Sequence, residues 1–230
     1  TGSLWLIDKK GKKRFAIDNV PHTKARKQGG LGDIIVDPNF AENNTVYLSF
    51  VERDPNNDKL SGAVVESANL IVEGSSAKLT NRKRLWMQSP KTTGNGHYGH
   101  KLAISPDDYL FITSGDRQKF TPAQDMTSNL GKVLRINKDG SIPQDNPFYG
   151  LNEVTNQIWS LGHRNPLGID FDAKGKLWVH EMGPRHGDEL NLIEPGENYG
   201  YPHVSEGNHY SGKSIPEHST RPEFKAPVAY

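Results

Sequence analysis

Cysteine is absent from the 230 residues, which excludes disulfides and thiolate metal sites and leaves the redox compartment open. Long apolar runs are absent as well. No stretch approaches the ~20 residues of a membrane-spanning helix, and the start Thr1-Gly2-Ser3 has neither the charged nor the apolar region of a signal peptide. Neither sign of charge is in excess: 28 Lys+Arg stand against 27 Asp+Glu, for a net charge of +1, so there is no electrostatic footprint for nucleic acid or an anionic membrane. Hydrophobic residues are few, at 33%, mean hydropathy is -0.72, and long amphipathic helical patterns are missing. What the sequence has in quantity is turn chemistry, with 23 Gly and 15 Pro. Many turns between short elements describe an all-β protein.

Three stretches share one pattern of alternating apolar residues, an Asp or Pro turn and a second apolar strand: Asp33 to Phe50, Lys101 to Asp116 and Gly168 to Glu181. Each reads as a β-hairpin, and they recur at a spacing of about 67 residues, longer than common propeller repeats but in keeping with blades that carry loop insertions. Further strands are expected at Ser3–Asp8, Arg14–Asp18, Gly62–Val72, Lys78–Gln88, Lys132–Asn137 and Glu189–Glu194. A helical turn is expected in Thr121–Leu130, with Thr121 as cap and Pro122 at the first position. Residues 1–230 thus read as one partial β-propeller domain of three to four blades; a β-sandwich or two separate β modules are the competing architectures.

The polar clusters lie in loops flanking the hairpins: Lys27-Gln28-Gly29-Gly30, Gly94-Asn95-Gly96-His97-Tyr98-Gly99-His100, Gly162-His163-Arg164-Asn165-Pro166, and Glu181 through Glu189. The first three occur at equal phase of the repeat. In a propeller such loops meet on one face around the central channel, so Gln28, His97 and Arg164 are expected to converge. Of the histidines His97, His100, His163, His180 and His186, only His97 and His100 have even a loose zinc spacing. The turn Gly183-Pro184 followed by Asp188-Glu189 offers the carbonyls and carboxylates that calcium prefers, a composition it shares with an ordinary solvated acidic turn.

At these loops the sequence resembles the glucose/sorbosone dehydrogenase family, including soluble aldose sugar dehydrogenases that use pyrroloquinoline quinone (PQQ). The matching stretches are QGGLGDIIVDPNF, GHYGHKLAISPDDYLFITSGD, AQDMTSNLGKVLRINKDGSIPQDNPF, IWSLGHRNPLGIDF, and EMGPRHGDELNLIEPGENYGYP with YSGKSIPE after it. The resemblance implies a six-bladed propeller, incomplete here, that oxidises aldoses to lactones by hydride transfer to PQQ, with calcium as a second cofactor. By position, His97 matches the general base and Arg164 a second catalytic residue. Gln28, Arg164, Asn165 and Tyr210 match residues on the PQQ side. The carbonyls of Gly183 and Pro184 match ligands of the calcium that holds PQQ, and Glu189 with Tyr199 matches a structural calcium site. The implied partners are a small sugar and an external electron acceptor; a homodimer is compatible with the family, and its setting is periplasmic or extracellular.

Two departures from the family pattern stand out: Gly96 where relatives often carry Asp or Asn, and Gly99-His100-Lys101-Leu102 where they often have Gly-Gly-Arg-Leu. Six repeats need roughly 400 residues by the repeat arithmetic, and the C-terminal Lys and Arg contacts to PQQ expected from the family are missing. The 230 residues alone are therefore expected to leave an open ring that associates and does not turn over sugar. Two other functions are compatible with the motifs: a calcium-dependent propeller hydrolase of lactonase type, and a carbohydrate-binding propeller without catalysis.

Overall fold

The computed structural model describes residues 2–230, which form three sheets. The first contains β1 (Trp5–Ile7), β2 (Lys13–Asp18), β3 (Leu31–Val36), β4 (Thr45–Arg53), β5 (Ser61–Glu73) and β6 (Ser76–Met87), in the spatial order β1-β2-β6-β5-β4-β3. The second is the antiparallel meander β7 (Gly99–Ile104), β8 (Tyr109–Ser114), β9 (Lys132–Asn137) and β10 (Ile158–Leu161). The third is β11 (Pro166–Phe171), β12 (Leu177–Glu181) and β13 (Glu189–Ile193). Its fourth position is begun by the chain end, where Val228 and Ala229 hydrogen-bond to Leu190. These are three propeller blades, with the β1–β2 hairpin added in parallel to the outer strand β6 of the first.

All three hairpins read from the sequence form, with Ile34 opposite Leu48, Ala103 opposite Phe111 and Ile169 opposite Val179. Strand alternation explains how the blades stack. Leu110 and Ile112 of β8, with Leu134 and Ile136 of β9, join Tyr47, Val65 and Trp86 of the first blade in one buried cluster. Phe111, between the first pair, and Val133, just before Leu134, face the other way, onto Leu177, Val179 and Ile193 of the third blade. Period-two side chains on a strand covered on both faces thus supply two interfaces from one run. The inner strand β7 packs between β3 and β11. The loops that enter these three strands are gathered at one end, and they are the loops that carry Gln28, His97 and Arg164.

Some expectations need correction. The turn at Thr121–Leu130 is a short 3-10 turn over Thr121–Ala123, and its cap falls on Phe120, not on Thr121. The reason is a tight turn at Phe120, in which Thr121 N donates to Lys119 O at 2.9 Å. Strand β10 and a single helical turn at Phe40–Asn43 escape sequence reading because four residues carry too little periodicity. His100 does not join His97 at the cavity but turns into the first blade. Its Nδ1 lies 3.0 Å from Ser49 Oγ, which itself donates to His100 O at 2.6 Å, and its ring fills the space that a side chain at Gly32 would take. Lys101 Nζ donates to Gly32 O at 2.9 Å. The His100-Lys101 departure therefore rebuilds a contact between blades.

Burial, reinforced by Lys101 and Arg117, pushes the His100 imidazole down to about 3. The unfolded chain takes up that proton near ~6.5 and the native state refuses it. His100 therefore contributes stability above pH ~6.5 that is lost as the pH falls toward 3, with a limiting slope of about 1.4 kcal/mol per pH unit. In thermal melts, the Tm of the wild-type protein should drop more steeply between pH 6 and 4 than that of His100→Gln. Parallel curves would show that His100 does not govern the acid limb.

Candidate functional site

A cavity of about 480 Å³ opens at the end where the three loops meet, within the range of small-molecule sites. Gln28, His97, Arg164, Pro184 and Tyr210 all line it. The sequence-level convergence of loops at equal phase is thus present in the structure, and it is joined by hydrogen bonds. His97 N donates to Gln28 Oε1 at 2.6 Å, His97 Nδ1 lies 2.7 Å from Asp116 Oδ1, and Asp116 N donates to Arg164 O at 2.8 Å.

Asp116 is fully buried and organises this end of the cavity. Besides holding the His97 ring, its carboxylate accepts Gln118 N at 2.9 Å and Phe120 N at 3.1 Å. A buried carboxylate facing Nδ1 selects the tautomer with the proton there, so Nε2 carries the lone pair. His97 itself has a left-handed backbone, φ 49°, and its glycine-rich loop is clamped by Arg117. That guanidinium is buried, donates to the carbonyls of Ser61, Gly94 and Gly96 at 2.7–3.0 Å, and stacks 3.7 Å over the Tyr98 ring. Three carbonyls and an aromatic face replace the carboxylate that a buried cation would otherwise need.

Arg164 reaches the cavity from the third blade. Its Nη1 donates to Met182 O and Gly183 O at 2.7 and 2.6 Å, and its backbone N donates to Glu181 Oε2 at 2.7 Å. Behind it, Ser160 Oγ, His163 and Glu181 form a chain of 2.9 and 3.0 Å contacts. This has the connectivity of a hydrolase triad. All three residues are buried, however, His163 stacks on Tyr199 at 4.8 Å, and none lines the cavity, so the chain braces Arg164. Asn165 is fully buried, and neither its Oδ1 nor its Nδ2 has a hydrogen-bond partner. Such an orphaned amide calls for a ligand or water. Tyr210 is an exposed rim residue, its ring 5.8 Å from the Arg164 guanidinium.

The residues expected to bind calcium are more dispersed. Pro184 lines the cavity, but the Gly183 carbonyl is taken by Arg164 and the Pro184 carbonyl accepts Gly187 N at 3.1 Å. Glu189 lines a different groove, where burial, then the charges of Glu181 and Glu206, raise its carboxyl above the usual range. The Tyr199 hydroxyl donates to Leu192 O, and its carbonyl lies 3.1 Å from His218 Nε2. Among the described residues, no three His, Asp or Glu side chains form a ready metal cluster.

Sequence reasoning did not single out Asp116, Gln118, Phe120, Tyr201 and His209 as site residues; Asp116 holds the His97 ring, and the other four line the cavity. Asp116 had a signal, since it follows the second strand of its hairpin at the phase where Glu181 ends the next one. Each pairs with the histidine that enters its own blade. Gln118 and Phe120 had none, because their direction depends on positive φ values of 60° and 64°.

Residues 1–230 match the family model described as Glucose / Sorbosone dehydrogenase. Aldose sugar dehydrogenase YliI of Escherichia coli (strain K12) is 37% identical over 202 residues, which cover 87% of this chain and 53% of that protein. A crystal structure of glucose dehydrogenase superposes with a TM-score of 0.92 at 37% identity, over 100% of this chain and 66% of that one. The PQQ-bound form of aldose sugar dehydrogenase from Streptomyces coelicolor superposes with a TM-score of 0.78 at 29% identity, over 94% and 60%. The chain spans about half the length of the sequence relatives it matches.

Proposed function

Because the chain belongs to the glucose/sorbosone dehydrogenase family, we propose that it carries the base-bearing part of a PQQ-dependent dehydrogenase that oxidises aldoses to lactones. The observation that carries this reading is the His97–Asp116 pair on the wall of a cavity shared with Arg164. The chain's residues fit PQQ, a flat polycarboxylate: Arg164 is cationic, Asn165 is a buried amide without a partner, and Phe120, Tyr201 and Pro184 offer flat ring faces. The relative with PQQ bound supports the same assignment.

Held beside Arg164 and the walls formed by Phe120, Tyr201 and Pro184, PQQ would supply the redox chemistry as the hydride acceptor. His97 Nε2 accepts the proton of the anomeric hydroxyl as the C–H bond breaks and the lactone carbonyl forms. Asp116 keeps Nδ1–H in place and offsets the charge that the ring acquires. Arg164 places a positive charge beside the cavity, where negative charge gathers during transfer, and Gln28 fixes the His97 backbone through its 2.6 Å bond. Since the Gly183 carbonyl already meets the Arg164 cation, no step is assigned to a metal at that turn. The test is oxidation of aldoses by the full-length protein loaded with PQQ, read with an artificial electron acceptor. Tight PQQ binding with no turnover of any aldose would refute the reading.

Calcium belongs to the proposal at Glu189. The raised carboxyl beside Glu181 and Glu206 is relieved either by a proton or by a cation bound only in the native state, which adds stability by mass action. Glu189→Gln should therefore lower Tm in millimolar calcium and leave it equal or higher in chelator, where the variant removes a buried like charge. Equal destabilisation in both buffers would make Glu189 an ordinary hydrogen-bonding residue.

A further inference from the structure

The short loop after Asp116 presents to the cavity a side chain that the proposed reaction leaves unused. Arg117, Gln118 and Phe120 have φ values of 55°, 60° and 64°, and Phe120, with ψ at -80°, sits at the centre of a γ-turn. L residues enter these regions rarely and hold them only when their surroundings insist. Here the Asp116 carboxylate insists, by accepting the backbone N–H groups of both Gln118 and Phe120. The result is that Gln118 lies over Gly96, the residue before His97. A Cβ on Gly96 would stand 2.7 Å from Gln118 Oε1 and 2.9 Å from its Cδ. Gly96 thus makes room beside the base, and Gln118 occupies that room from across the loop.

Gln118 is exposed in the cavity, and its side-chain amide bonds to no described residue. It offers one acceptor and two donors next to His97. Phe120 forms the adjoining wall, stacked near Tyr201 with ring centroids 6.3 Å apart and edge-on to His209 at 5.9 Å. A neutral amide that both donates and accepts, beside an aromatic face, matches a pyranose, whose hydroxyls need both roles and whose C–H face is apolar.

We propose that Gln118 is a specificity-determining residue that hydrogen-bonds a ring hydroxyl neighbouring the anomeric one, a reading that rests on the aldose dehydrogenase function proposed above. The test compares the wild-type full-length protein and Gln118→Ala, both loaded with PQQ, on the preferred aldose and its monodeoxy analogues. Gln118→Ala should lose roughly 3- to 15-fold in kcat/KM on the parent sugar, the worth of a neutral hydrogen bond. On the one analogue that lacks the bonded hydroxyl, the two proteins should agree within about twofold, since that bond is already gone. PQQ affinity, read by spectral titration, should not change. Gly96→Ala should reproduce the loss by displacing Gln118, and should add little in the Gln118→Ala background. Melting curves of the four proteins report whether the fold is intact.

A loss of equal size on every deoxy sugar, or a fall in PQQ affinity, would overturn the proposal while leaving the dehydrogenase reading in place. A wild-type protein that binds PQQ but oxidises no aldose would overturn both.

Discussion

In the full-length protein loaded with PQQ, His97→Ala should lower kcat for the proposed aldose oxidation by roughly two to four orders of magnitude, the usual consequence of losing a general base. The expectation rests on which ring nitrogen is committed. Nδ1 is held at 2.7 Å by a carboxylate with no solvent exposure, so Nε2 is the nitrogen left to take a proton in the cavity. PQQ affinity should stay near the wild-type value, because the ring's fixed contacts are to Asp116. Asp116→Asn should also depress kcat strongly, since an amide can donate to Nδ1 and thereby favour the opposite tautomer. It should lower Tm as well, because the same carboxylate accepts the backbone N–H groups of Gln118 and Phe120, and hydrogen bonds to a charged acceptor contribute about 1.5–3 kcal/mol each. Added imidazole should restore part of the turnover of His97→Ala and none of that of Asp116→Asn. Wild-type turnover by His97→Ala at saturating sugar would remove the base assignment.

Arg164→Ala should weaken PQQ binding by about one to four decades, which corresponds to the ~2–5 kcal/mol lost when one member of a buried charge pair is truncated. Nη1 alone serves the carbonyls of Met182 and Gly183, while the group faces Tyr201 and the cavity, so the guanidinium can brace the loop and meet an anion together. Arg164→Lys should recover only part of the affinity, because an ammonium is a point charge without the planar fork that does both. Spectral titration of the apo-protein with PQQ measures the effect directly. If Arg164→Ala binds PQQ as tightly as the wild type, Arg164 acts only on the Met182-Gly183 backbone, and the anion is held elsewhere.

Local alternation by itself determined the three hairpins, because whether a side chain points to one face or the other depends only on its parity along the strand. Their spacing also determined that the Gln28, His97 and Arg164 loops enter equivalent inner strands. Equal phase in a repeat means equal position on a blade, which is why the meeting of Gln28, His97 and Arg164 was legible in the sequence, whereas Pro184 and Tyr210 were expected only from the family resemblance. Tertiary structure decided the rest. The bond that seats His97 comes from Gln28, 69 positions away, and the clamp on its loop reaches Ser61, 56 positions from Arg117. Neither pairing follows from any local propensity. The fate of His100 was decided by the open space over Gly32 on another blade, and that of Glu189 by its own burial and then by the charges of Glu181 and Glu206 nearby. The direction of Gln118 and Phe120 came from positive φ values that their residue types disfavour, imposed by a carboxylate whose burial only the stacked blades provide. Strand parity acts between neighbours in the chain, whereas tautomer, charge state and strained backbone depend on what is excluded from water, and that exclusion exists only once the blades have packed.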